Sequence, residues 1–429
     1  MNAPLPPLDT PVVTLANGVR IVVLPQPHLP SATVSVFVRT GSRHESPRLN
    51  GISHVVEHMA FKGTRTRSCQ QVNLDAERLG AEVNAHTDKD HTAFHMRGMA
   101  RHALPLVEML ADIVQHATFP EAELERERQV ILQEFAEDED DAFSTAFKLF
   151  DKMCFGAHPL AQPVIGSRRN IARFSRDDLL GYVQRQYTGP NVVVAAAGAL
   201  DAQQVVEAAA ASFGALPAGG ENAVAAPAYH GGFAARRQPG VSQMHVVLGF
   251  PLPGTREPGH EAGIVAAALF GEGMSSPLMD EIRERRGLAY YVACSADLSD
   301  LAGQFVVEAS LAPEHAEEYV TEVVRLLREH ARAVDPIGLE RARNQIAVRR
   351  LEVQERPFRL LEEAAQDVFV HGRLRAPADR LAAIEAVRAE EVQACFSQML
   401  RVVPAVGVAG DVRRATAERL KALLSAPLG

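Results

Sequence analysis

The chain is 429 residues long, 47% hydrophobic and 23% charged. This composition excludes a disordered polymer, and the length calls for two domains of about 200 residues each rather than one core. Its formal charge of −9 argues against general nucleic-acid binding and mildly favours basic partners.

Residues 1–9 have neither a basic start nor an apolar core, so no signal peptide is expected. The longest apolar stretches, 192–200 and 262–270, fall short of the ~20 residues that span a bilayer. Cys69, Cys154, Cys294 and Cys395 form no CxxC pair and read as free thiols in a reducing compartment. A cytoplasmic protein with no membrane partner is expected.

Residues 12–15 and 20–24 are apolar, β-branched runs around Asn17-Gly18, the signal for a tight hairpin turn. Residues 32–38 alternate as a third strand would. Helical periodicity takes over near residue 50 and again over 70–79, where Gly80 closes the helix. Residues 81–86 and 92–96 read as strands, and 101–116 and 120–136 as helices. The second of these helices opens on Pro120 and is rich in Glu early, as the helix dipole favours. A helix over 177–186 and a buried strand over 191–197 complete an α+β first half. Residues 214–240, with prolines, paired glycines and few strong apolar positions, have linker chemistry.

The second half repeats the order. A strand (243–250) leads to a helix (260–270), a Gly-Ser turn (271–276) and a helix ending at Arg286. Strands (289–296, 303–310), Arg/Glu-rich helices (314–333, 337–354) and a last strand (402–409) follow. The expected fold is therefore α+β, with two similar layered α/β domains, 1–213 and 241–429, joined by the 214–240 linker. The second-half counterpart of the helix near residue 51 reads Ala-Gly-Ile-Val-Ala-Ala-Ala-Leu-Phe, so only the first half would keep a metal site.

That site would be built on residues 51–64. His54 and His58 are four apart and share one helix face, with Glu57 beside them. This is the inverted His-x-x-Glu-His form of the zinc-peptidase helix. With 16 His and 53 acidic residues, such a pattern arises by chance in roughly one chain of this size in fifteen, so it needs support elsewhere. A catalytic zinc takes three protein ligands and leaves a position for water. Residues 123–136 offer the third: Glu127 and Glu134 are seven apart on one face. Glu134 follows an apolar run, where a carboxylate is costly to bury unless something positive pairs with it. His91 and His95 lie in apparent strand sequence and read as pocket or core histidines, not ligands. The acidic run 137–141 reads as a solvated helix end, with a wall attracting basic peptides as the alternative.

These residues resemble the inverted-motif zinc peptidases that include pitrilysin, insulysin and the mitochondrial processing peptidases. The resemblance implies one zinc ion per chain on His54, His58 and Glu134, with Glu57 as general base and Glu127 as an accessory carboxylate. It covers nearly the whole chain. Asn84, Ala85, His86 and Thr87 are similar to the family's Asn-Ala-x-Thr edge strand, where substrate backbone pairs. Residues 155–160 with Gly166 resemble its mid-domain loop, and 187–191 resemble the lead into its last strand. Residues 273–276 and 282–290 are similar to the short branch of the family, in which an Arg and a Tyr reach into the site from the other domain. Here these are Arg283 and Tyr290. Glu272 and Pro277 depart from the family pattern.

What the resemblance implies is a zinc metalloendopeptidase or oligopeptidase, in which Glu57 activates a water on zinc. Arg283 and Tyr290 would stabilise the oxyanion. Substrates would be unstructured or short peptides, extended and possibly basic, bound by strand addition. Two domains would make half of a clamshell, which a homodimer would close. The alternative is a non-catalytic assembly subunit of the same fold, as family relatives in respiratory complex III are.

Overall fold

A computed structural model describes residues 12–429; the signal-peptide expectation falls on residues outside that range. The chain divides into two compact units that interleave along the sequence. The first comprises Met1–Phe135, Pro163–Val224 and Leu351–Pro377, and the second Ala136–Gln162, Ala225–Arg350 and Ala378–Gly429. The 214–240 segment contains one crossing, after Val224. Two others fall inside the helices Glu121–Asp140 and Pro336–Glu355, where no loop chemistry marks a boundary.

In the first unit the strands are β1 (Val13–Thr14), β2 (Arg20–Pro25), β3 (Ser31–Val38), β4 (Glu82–Thr87), β5 (Thr92–Met99) and β6 (Val192–Gly198), in the order β1-β2-β6-β3-β5-β4. β2 and β6 run parallel and every other pair is antiparallel. The Asn17-Gly18 turn does join β1 to β2, with Gly18 at φ +93°.

β6 reads Val-Val-Val-Ala-Ala-Ala-Gly and is buried throughout, as a strand covered on both faces should be. On one face Val34, Val36, Phe94 and Met96 pack with the helices Ile52–Ala60, Ala103–His116 and Arg176–Gln186. On the other, Val22, Leu24, Phe37, Val193, Ala195 and Ala197 pack against Leu361, Ala364, Ala365 and Val368 of the helix Pro357–His371.

The second unit repeats this plan with β7 (Gly232–Arg237), β8 (Met244–Leu252), β9 (Ala289–Leu298), β10 (Gly303–Leu311) and β11 (Ala405–Gly410), in the order β7-β11-β8-β10-β9. Its parallel pair is β7 with β11, so β7, β11, β8, β10 and β9 correspond in order and direction to β2, β6, β3, β5 and β4. The duplication expected from pattern is thus one of topology.

The back of this sheet is covered by the helix Ala142–Phe155, whose Ala146 and Phe150 pack on Val247, Val306, Ala405 and Ala409. Contact is close at Gly407, where a Cβ would lie 2.1 Å from the Ala146 carbonyl oxygen. Each half of the sequence therefore supplies a helix to the sheet whose strands come from the other half, within one unit. Residues 142–155 and 357–371 carry no element in the sequence-based reading.

The acidic run 137–141 closes the helix Glu121–Asp140 as the expected solvated end, with Glu137, Asp140 and Asp141 exposed. Asp138 pairs with Lys148, Glu139 pairs with Lys148 and Arg236 (2.9 Å each), and Asp141 caps the helix Ala142–Phe155. Among the described residues no helix is long and apolar enough to cross a membrane.

Candidate active site

The helix Ile52–Ala60 buries Ile52, Val55, Val56 and Met59, which leaves His54, Glu57 and His58 partly exposed on the other face. Its entry is fixed by Gly51 at φ +98°, where a Cβ would lie 2.9 Å from the Gly166 Cα. The first turn contains no acidic residue. Buried Glu45 supplies the missing charge from outside the helix, accepting the backbone N–H groups of Gly51 (2.7 Å) and Ser53 (2.8 Å) and the Asn50 amide (3.0 Å). The Tyr182 hydroxyl ties the same turn to β3's end, at 2.8 Å from Ser53 Oγ and 2.6 Å from Thr40 Oγ1. Glu45 and Tyr182 escape sequence reading. The only signal for Glu45, a glutamate six residues before a helix-opening glycine, is too common to act on.

His54, His58 and Glu134 each offer a donor atom, all within 4.8 Å of one another. Glu134 Oε2 lies 3.8 Å from His54 Nε2 and 3.5 Å from His58 Nε2. Ligand atoms set tetrahedrally around zinc at ~2.0–2.2 Å sit about 3.3–3.6 Å apart, so this donor set fits a divalent ion with small adjustments. Glu134 comes from the helix Glu121–Asp140 and is 39% exposed at its side chain. It is therefore less buried than its apolar approach suggests, which would leave a bound ion open to solvent and substrate.

Glu127 stands one step further out. Its carboxylate takes His58 Nδ1 at 3.2 Å and Lys62 Nζ at 2.6 Å, an arrangement that turns the His58 Nε2 lone pair towards Glu134. Burial, and then the neighbouring His58, lowers the His54 pKa to about 4, so His54 stays in the neutral form a metal requires. Glu57 has its pKa raised by burial, opposed by a hydrogen bond from Thr87 and by the charges of His58 and His86. Its Oε2 is buried and has no hydrogen-bond partner.

Asn84, Ala85, His86 and Thr87 lie in β4, the sheet's edge, which among the described residues pairs only with β5. The Ala85 N–H points away from the ladder and is capped by its neighbour, Asn84 Oδ1, at 2.8 Å. The imidazole of His86 instead meets Glu362, 3.4 Å away. Arg283 and Tyr290 belong to the second unit. Arg283 is on the π-helical segment Met279–Arg285, and Tyr290 is on β9, 80% exposed. The neighbouring Tyr291 is 41% exposed and donates its hydroxyl to Glu308 at 2.5 Å.

Twin sheets of one strand order, the first carrying an inverted His-x-x-Glu-His helix that converges on a distant glutamate, define a peptidase-type architecture. The chain belongs to peptidase family M16, the insulinase family: residues 20–168 match Insulinase (Peptidase family M16), and residues 173–346 match the Peptidase M16 inactive domain. It is 31% identical over 385 residues to an uncharacterized zinc protease of Rickettsia bellii, covering 89% of this chain and 92% of that protein. It is also 33% identical over 317 residues to the mitochondrial cytochrome b-c1 complex subunit 1 of Bos taurus, covering 70% and 66% respectively. The solved structure of a protease from Helicobacter pylori shares the fold, with a TM-score of 0.85 at 21% identity over 94% of this chain and 99% of that one.

Proposed function

We propose that this chain is a zinc-dependent endopeptidase or oligopeptidase acting on unstructured or short peptides. The observation that carries the reading is the convergence of His54, His58 and Glu134, with the unpartnered oxygen of Glu57 on the same helix face. These three residues would hold the ion, and Glu127 would position His58. A bound zinc ion acidifies water and polarises a carbonyl.

The chain's own residues do the rest. Glu57 takes the attacking water's proton and returns it to the departing amine, and its raised pKa suits both transfers. An extended substrate would add to the outer edge of β4, with Asn84 giving up the Ala85 N–H to a substrate carbonyl. Arg283 and Tyr290 would bind the developing oxyanion.

Each chain carries both the metal residues and an exposed Arg283 and Tyr290. We therefore propose a cytoplasmic homodimer, in which each site pairs the metal residues of one chain with Arg283 and Tyr290 of the other. An active monomer in sedimentation would refute the dimer.

The second reading, a non-catalytic assembly subunit, draws on the similarity to a cytochrome b-c1 complex subunit. Metal analysis and peptide digestion separate the two. The peptidase reading expects near-stoichiometric zinc, activity abolished by a chelator, and recovery on zinc addition. A metal-free, inert preparation that zinc does not revive favours the assembly subunit.

A further inference from the structure

A second pair of histidines sits where β4 turns into β5. His86 is on β4, Asp88 and His91 are in the connecting turn, and Glu362 is on the helix Pro357–His371 that covers the sheet. His86, Asp88 and His91 each offer a donor atom within 4.8 Å of the others. One oxygen, Glu362 Oε1, faces both imidazoles, lying 3.4 Å from His86 Nε2 and 3.9 Å from His91 Nε2. Behind His91 the Asp88 carboxylate takes Nδ1 at 3.1 Å.

Two features parallel the motif site, one carboxylate oxygen facing two imidazoles and a second carboxylate behind one ring. There, one Glu134 oxygen faces two Nε2 atoms at 3.5 and 3.8 Å, and Glu127 takes the outer nitrogen of one ring at 3.2 Å.

The buried member of the second set has one nitrogen without a hydrogen bond. His91 is 3% exposed, and its Nε2 makes no hydrogen bond. Such a buried polar atom loses its water without compensation, unless a ligand arrives to replace it. The ring is held with Nε2 facing Glu362, because Asp88 cannot swing away. Its Oδ1 accepts the backbone N–H groups of Asp90 and His91, both at 2.6 Å. A carboxylate locked in its own turn and fixing the outer nitrogen of an imidazole is the orienting contact that metal-binding histidines use.

We infer that His86, His91 and Glu362 form a second divalent transition-metal site, with Asp88 orienting His91. Two imidazoles and a carboxylate suit Zn2+ or Co2+, not Ca2+ or Mg2+, which prefer oxygen cages. Binding is expected to be weaker than at the motif site, since Glu362 is also paired with Arg359 at 2.8 Å. An occupied site ties the end of β4 to the helix Pro357–His371. Thr87, between His86 and Asp88, lies close enough to Glu57 to influence its carboxyl, so the ion would sit beside the motif helix. The inference does not depend on the chain being a peptidase.

The test titrates metal-free full-length protein with Co2+, followed by its visible ligand-field spectrum, and repeats the titration with Zn2+ by calorimetry. Wild type is expected to take two equivalents per chain. His58→Ala should lose the tighter one and keep the weaker. Glu362→Gln and His91→Ala should weaken the second at least tenfold and keep the first. Glu362 is partly exposed, so Glu362→Gln reads the site even where the buried His91→Ala fails to fold, and circular dichroism reports which variants have folded. A single equivalent in wild type that vanishes in His58→Ala overturns the inference. So does a second equivalent indifferent to Glu362→Gln.

Discussion

Glu57 and Glu127 are both carboxylates beside His58, and their surroundings give them different tasks. Glu57 is half-buried, with its pKa shifted upward and a buried oxygen that has no hydrogen-bond partner, whereas Glu127 is committed to His58 Nδ1 and Lys62. On the proposed reading Glu127 is a positioning residue. Removing it by Glu127→Ala is expected to weaken zinc binding about 10–100-fold, read by competition with a chromogenic chelator. Peptide turnover should then recover at excess zinc. A variant that binds zinc normally but fails to turn over would make Glu127 catalytic instead. The same logic separates the legible residues from the hidden ones. His54, Glu57 and His58 are visible because a helix repeat puts them together locally. Glu45 and Glu362 reach their partners only through folding, and neither has a neighbour in sequence that hints at its role.

At the scale of elements, the motif helix depends on Glu45. Glu45→Ala leaves the N–H groups of Gly51 and Ser53 buried and unsatisfied, at a cost of about 1–3 kcal/mol. The expected signature is a lower midpoint in urea, with weaker zinc binding as the first turn frays.

The junction between β4 and the helix Pro357–His371 is sensitive to pH in the metal-free protein. Burial alone would raise the Glu362 pKa, but hydrogen bonds from His86 and Arg359 and the charges of His91 and Arg359 hold it at about 2, below the ordinary 4.5. Its contribution is present above pH 4.5 and is lost as pH falls towards 2. Burial would lower the His86 pKa, yet Glu362, Asp88 and Glu57 leave it raised above 6.5, so its contribution is present below that pH and fades as pH climbs through the raised value. Glu362→Gln should therefore flatten the acid limb of a stability–pH profile between 4.5 and 2. A limb unchanged by the substitution would mean that the pair contributes nothing.

For the molecule as a whole, much of the duplication was legible. The Asn17-Gly18 hairpin, the continuous apolar strand β6 and the second-half run of strand, helix and strand all carry local signals that survive into the fold. The interleaving of the two units was not legible. An apolar helix face states that it must be covered, but not by which sheet, and the small residues that admit the exchanged helices, Gly407 on β11 and Ala195 and Ala197 on β6, look like ordinary strand positions. The ion-pair partners of the acidic run 137–141 were hidden for a related reason, since Lys148 and Arg236 reach it only in the folded chain.

The central claim is that a carboxylate on the motif helix moves the proton of peptide hydrolysis while two imidazoles and Glu134 hold the ion. Its most direct test is the rate of cleavage of an unstructured peptide by wild type and Glu57→Gln, each loaded to the same zinc content. The account predicts internal cleavage by wild type and a loss of about 10²–10⁴-fold in the variant. Equal rates in the two, or no cleavage by zinc-replete wild type, would contradict it.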